Sequence, residues 1–158
     1  MPKSSCSYFK RLCECSIKSE ENNSKFAFND PGTNNRAVVN ADGRHCRKIR
    51  IDGALHEVQP NKCDWCLWDY NNNVFLFLEL KGTDWSHAVV QLDCTVTWFK
   101  KHIDPFIIYK ETYIVMKNNC SIPSTDTKFQ IAQKKFMASH CSLLLRKHSG
   151  HHFVFSKK

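Results

Sequence analysis

Apolar residues recur along this chain with two different periods, and the change from one to the other marks its elements. From Cys63 to Trp68 and from Val74 to Leu78 the residues are mostly aliphatic and aromatic, the types that suit a pleated surface. Asp69-Tyr70-Asn71-Asn72-Asn73 between them predicts a connection, so the two runs predict an antiparallel hairpin. After Lys81-Gly82 the period lengthens. Trp85, Ala88, Val89, Leu92, Val96 and Phe99 recur at helical spacing and form one stripe. Thr83 or Asp84 can cap that helix; Lys100-Lys101-His102 puts cations in its last turn, where the dipole favours them, and Pro105 follows.

Weaker patterns flank this centre. A helix is predicted from about Ser7 to Glu21 on Phe9, Leu12 and Cys13, broken by Asn22-Asn23-Ser24. Asn29 to Asn35 reads as loop. Val38-Val39 and Arg47 to Ile51 suggest short strands, and Asp42-Gly43 and Asp52-Gly53 suggest tight turns. Phe106 to Tyr109 and Tyr113 to Met116 are strand material, one bent strand or two, and Asn118 to Ser124 is loop. Asp126 or Thr127 caps a second helix with Phe129, Ala132, Gln133, Phe136 and Met137 on one side. Ser142 to Arg146 and His152 to Phe155 suggest a closing hairpin around Ser149-Gly150. The order predicts an α/β fold, a mixed central sheet flanked by helices, as a single domain over residues 1–158.

Composition changes this picture in three ways. With 42% hydrophobic and 24% charged residues the chain is globular rather than disordered. A net charge of +8 points to a polyanionic partner, nucleic acid first, though the basic residues are dispersed and any binding surface must be assembled by the fold. No apolar run is long enough to cross a bilayer and no signal peptide is evident, so a cytoplasmic protein without membrane contact is expected. Nine cysteines then read as reduced thiols. Cys63-x-x-Cys66 has zinc-like inner spacing but lacks a second pair, and in a strand the two would face opposite ways; buried free thiols are the expectation.

Candidate chemistry concentrates at the end of the second hairpin strand. In Val74 to Lys81, Phe75, Phe77, Glu79 and Lys81 share one face, so two charges end a buried row. If Asp69 pairs with Val74, Asp64 falls opposite Glu79, and carboxylates that close favour a bound divalent cation. Asp64, Glu79, the Leu80 carbonyl and waters would be hard oxygen ligands for Mg²⁺ or Mn²⁺. Lys81 could orient an attacking water or neutralise charge on a phosphate, and Gln91 on the next helix could hold Lys81 or the water.

Asp64, a hairpin to Glu79-Leu80-Lys81, and a helix bearing Gln91 together resemble the PD-(D/E)XK nuclease superfamily, with its restriction-endonuclease-like fold. The stretch Lys62 to Leu92 is similar to small prokaryotic members, and Ile51-Asp52-Gly53 has an upstream counterpart there; Cys63 stands where the motif's name has proline. The resemblance implies metal ligation by Asp64 and Glu79, catalysis through Lys81, and an acidic residue on the first helix, for which Glu14, Glu20 and Glu21 are candidates. It implies a metal-dependent endonuclease or exonuclease acting on nucleic acid, DNA before RNA. It also implies a homodimer or a partner protein, in a prokaryotic or phage setting such as defence or a mobile element.

Other readings compete. Glu79 and Lys81 could be a solvated ion pair in a non-catalytic nucleic-acid-binding or accessory protein that keeps the fold. A cysteine-based zinc protein is a third reading. Asp52 fits a turn with Gly53, and His56 and Glu57 fit a loop near the hairpin. His140, His148, His151 and His152 fit loop or strand surface, and the tryptophans fit mostly core.

Overall fold

The computed structural model describes residues 16–17, 24–30, 34–54, 61–103, 108–116, 122–140, 144–148 and 152–155. In chain order its elements are β1 (Ser16–Ile17), β2 (Lys25–Asn29), β3 (Arg36–Asn40), β4 (Cys46–Arg50), α1 (Ile51–Ala54), β5 (Trp65–Asp69), β6 (Val74–Lys81), α2 (Trp85–His102), β7 (Ile108–Met116), α3 (Thr127–Ser139), β8 (Leu144–His148) and β9 (His152–Val154). The architecture is mixed α/β. A six-stranded sheet runs β1-β4-β5-β6-β7-β8, and a three-stranded sheet runs β2-β3-β9. Pairs from β1 to β6 are antiparallel, whereas β6–β7, β7–β8 and β3–β9 are parallel.

β6 lies at the centre, and its alternation builds both halves of the core. Phe75 and Phe77 face α2, packing with Leu92, Val96 and Phe99; the Phe77 and Phe99 ring centroids are 4.9 Å apart, edge to face. Leu76, Leu78 and Leu80 face the other way, against Phe26, Phe28 and Val39 of the small sheet. Both faces of β6 are therefore buried, as befits a strand flanked by a parallel neighbour. α2 keeps the predicted stripe, with Ala88, Leu92, Val96 and Phe99 buried and its N-terminus capped by Asp84, which accepts from the His87 N–H. α3 is capped by Asp126 and buries Phe129 and Phe136; Phe129 meets Trp85 of α2 edge to face at 5.2 Å.

Several expectations are corrected. Helices cover one face of the large sheet, but a second sheet covers the other, because Phe26, Phe28, Ala37 and Val39 present an apolar row at strand period. β2 itself was not anticipated, although Lys25-Phe26-Ala27-Phe28-Asn29 alternates cleanly. Ser16–Ile17, expected within a helix, pairs as a strand with Ile49 and Lys48; the rest of that predicted helix lies outside the described residues. The closing hairpin is absent among the described residues: β8 joins β7 in the large sheet and β9 joins β3 in the small one, since alternation identifies a strand but not its partner. Asp52-Gly53 belongs to the single turn α1 rather than to a β-turn. Asp42-Gly43 is a tight turn as expected, with both residues at positive φ (51° and 70°) and Arg44 N–H donating to the Ala41 carbonyl at 2.9 Å. β7 is one strand with Lys110 as an extra residue opposite the Phe75–Leu76 step.

Buried cations join the two sheets. Lys48 donates to the Ala27 carbonyl and lies over the Phe28 and Trp65 rings. Arg44 makes a 2.5 Å ion pair with Asp69 at the hairpin turn, both side chains buried, and also donates to the Phe155 carbonyl at 3.2 Å. Asp69 further accepts from the Asn72 N–H and side-chain amide, so one carboxylate fixes the turn and ties it to the second sheet. Asp69→Ala leaves a buried guanidinium without its counter-charge and is expected to lower unfolding free energy by about 3–5 kcal/mol in urea melts. A loss below about 1 kcal/mol, the size of an exposed pair, would contradict that role.

Candidate metal-binding and catalytic site

The β5–β6 register places Asp69 opposite Val74 and Trp65 opposite Leu78. One further step sets Asp64, just ahead of β5, against Glu79, as the turn length predicts. The two carboxylates are locked by backbone amides. Asp64 N–H donates to Glu79 Oε2 at 3.0 Å, and Leu80 N–H donates to Asp64 Oδ2 at 2.8 Å. In an extended strand a residue's N–H and C=O point to the same neighbour, so the Leu80 carbonyl is directed to the Asp64 side as well. Lys81 Nζ lies 3.0 Å from Glu79 Oε1, which is buried without a well-directed hydrogen bond. Glu79 is 1% exposed and Lys81 21%, so the lysine is the side of the site that opens to solvent.

These surroundings oppose ionisation. Burial pushes Glu79 up to about 8, the Asp64 charge adds to this, and Lys81 works against it. Burial likewise pushes Asp64 up to about 6, with the Leu80 amide opposing and the charges of Asp30 and Asp52 adding to the rise. Two carboxylates, one buried and one part-buried, each with one oxygen tied to an amide, form a hard-oxygen donor set that a single lysine only partly compensates. That set fits a divalent cation, with Leu80 supplying a carbonyl. Among the described residues no three side chains of His, Cys, Asp or Glu converge on one point.

The segment that delivers Asp64 hangs from α2. His87 Nε2 is 3.3 Å from Asn61 Oδ1, Gln91 Nε2 donates to the Lys62 carbonyl at 2.9 Å, and Cys63 N–H donates to Thr95 Oγ1 at 2.9 Å. Thr95 Oγ1 in turn donates to the Gln91 carbonyl. His87, Gln91 and Thr95 are spaced four apart, one face of the helix, and they hold three consecutive residues before Asp64. The sequence singles out Gln91, but the structure gives its hydrogen bond to Lys62 rather than to Lys81. Thr95 and His87 were missed; their polar i, i+4, i+8 spacing with Gln91 beside the apolar stripe was the available signal.

No known family model, curated protein or solved structure matches the chain.

The remaining candidates separate. Asp52 is exposed on α1, 3.7 Å from Lys62, and reaches Asp64 only through its field. Glu14, Glu20, Glu21, His56 and Glu57 lie outside the described residues. Cys63 and Cys66 are free and buried as expected, but on the same side: Cys63 precedes β5, so strand alternation does not separate them. His140, expected at the surface, is buried at the end of α3, where Nε2 meets Asp93 at 2.7 Å and Nδ1 faces Lys100 at 3.4 Å. Trp65, Trp68 and Trp98 are core residues, and Trp85 is half-buried against it.

Two outcomes follow from this geometry. Because the folded carboxyls bind protons more tightly than their ordinary values of 3.8 and 4.5, the metal-free fold loses stability as pH rises from about 4 to about 8. Melts in EDTA are expected to show this fall, with Glu79→Gln removing its upper part; a flat profile would contradict the buried pair. Thr95→Val strips the Cys63 amide of its acceptor and is expected to cost about 1–3 kcal/mol in urea melts. Thr95→Ser should recover most of that, and equal loss in both would place the effect in packing.

Proposed function

We propose that this chain is a metal-dependent nuclease with a restriction-endonuclease-like core, hydrolysing phosphodiester bonds in DNA. The observation that carries the reading is the convergence of Asp64, Glu79 and Lys81 at the end of a buried strand, where one lysine faces a buried and a part-buried carboxylate. The order hairpin, helix, parallel strand around one mixed sheet supports the same reading. A net charge of +8 supports a polyanionic substrate. Free buried thiols at Cys46, Cys63 and Cys66 suit a reducing compartment such as the cytoplasm. No helix among the described residues is long and apolar enough to cross a membrane.

Asp64 and Glu79, with the Leu80 carbonyl, would hold the ion. Bound Mg²⁺ or Mn²⁺ supplies polarisation of the scissile phosphate and a lowered pKa for the attacking water. Lys81 Nζ, beside Glu79, would face the water or the charge that develops on the phosphate. Gln91 and Thr95 act at one remove, fixing the segment that carries Asp64. The preformed backbone locks on both carboxylates mean that the ligands do not have to be ordered when substrate arrives.

The test is nicking of supercoiled plasmid with Mg²⁺, Mn²⁺ or EDTA. Cleavage is expected with either ion and not with EDTA, and Glu79→Ala or Lys81→Ala should each reduce it by about 10²-fold or more. Failure of the wild-type chain on duplex, branched and single-stranded DNA and on RNA would overturn the reading.

A further inference from the structure

The outer surface of the small sheet belongs neither to the core nor to the site above. The inward positions of β2 and β3 are Phe26, Phe28, Ala37 and Val39; the outward ones include Lys25, Asn29, Arg36 and Asn40. Register arranges these in rows. Lys25 stands beside Asn40 and then Val154, Ala27 beside Val38 and then His152, and Asn29 beside Arg36. Lys25, Val38, Asn40, His152 and Val154 line a shallow depression of about 220 Å³. Val154 is 48% exposed.

The chemistry of this face is one-sided. Its described outward side chains carry two full cations, an imidazole and two amides, and none is a carboxylate. Asp30 and Asp42 sit in the loops beyond the strand ends, and Asn40 Oδ1 is already engaged by the Asp42 N–H at 3.0 Å, leaving its NH₂ group to donate. Strand spacing sets Lys25, Arg36 and His152 about 8 to 14 Å apart on a flat surface. The outward positions of β2 and β3 hold no aromatic ring on which a base could stack.

We infer that the outer face of β2, β3 and β9 binds the sugar–phosphate backbone of nucleic acid, independently of base sequence. Lys25 and Arg36 pair with phosphates, Asn40 and His152 donate to phosphate or sugar oxygens, and Val38 and Val154 cover the sugar between them. The small sheet packs on the Leu76–Leu80 side of β6 and Glu79 is on the other, so its outer face is a contact surface distinct from the carboxylate pair, while its Asn29–Arg36 end borders Asp30, whose charge reaches Asp64. It would hold a strand outside the site.

The test is fluorescence polarisation of labelled 20-nucleotide single-stranded and duplex DNA over a salt series, in EDTA and on a Glu79→Ala background that cannot hold the ion. Lys25→Glu/Arg36→Glu is expected to weaken binding about tenfold or more and to reduce the salt slope by about two. Lys25→Gln/Arg36→Gln, with melts unchanged, guards against misfolding and should give a smaller loss in the same direction. Lys128→Glu/Lys134→Glu on exposed positions of α3 should leave affinity within about twofold. Equal losses in the α3 variant would reduce the effect to net charge and overturn the inference. So would unchanged DNA binding in the β2–β3 variants, or loss from them of binding to phosphatidylserine vesicles alone. Plasmid nicking by the β2–β3 variants at low salt separates the two readings, because it tests the Asp64–Glu79 site without this face.

Discussion

The register between β5 and β6 is the constraint on which the rest of this structure depends. A slip of one residue would turn Phe75, Phe77 and Glu79 towards the small sheet and Leu76 and Leu78 towards α2, exchanging the contents of the two core layers. The register is held at both ends. At the turn, Asp69 accepts from Asn72 and pairs with Arg44, which also reaches the Phe155 carbonyl. At the open end, Asp64 and Glu79 exchange hydrogen bonds with the backbone of the opposite strand. Hydrophobic burial makes each face; these polar locks decide which residue belongs to which face.

The open end has an electrostatic cost that the turn end avoids. At the turn, one carboxylate meets one guanidinium and two amide donors, a compensated buried pair. At the open end, two carboxylates share one lysine, and burial raises both pKa values. A fold that needed only to close its hairpin would be served as well by an apolar residue at Glu79, which continues the row Phe75–Phe77. An acid kept there against desolvation is the kind of local inconsistency that marks functional sites. The hydrogen bonds that α2 extends to residues 61–63 point the same way, since they hold an irregular segment whose main effect is the position of Asp64.

How much of this was legible in the sequence depended on whether the signal was local. The hairpin, its register, the cap at Asp84 and the α2 stripe follow from neighbours in the chain, because turn length and side-chain period fix them. The Asp64–Glu79–Lys81 grouping followed from that register alone. The small sheet did not: β3 and β9 are more than a hundred residues apart, and a three-residue strand such as His152–Val154 has no local signature of a parallel partner. β1 is shorter still and takes its conformation from the edge of β4. His140 was misread for a related reason, since its burial comes from contacts with Asp93 and Lys100 on another helix. Gln91 was placed on the right helix face, but the Lys62 carbonyl that it holds belongs to an irregular segment whose path no periodicity describes.

The proposed sharing of one cation by Asp64 and Glu79 is tested most directly by a crystal structure of the protein soaked in Mn²⁺ with anomalous data. One anomalous peak is expected, coordinated by oxygens of Asp64 and Glu79 and the Leu80 carbonyl, with Lys81 Nζ drawn away from Glu79 Oε1. No peak at that position, with Lys81 still paired to Glu79 at saturating Mn²⁺, would contradict it.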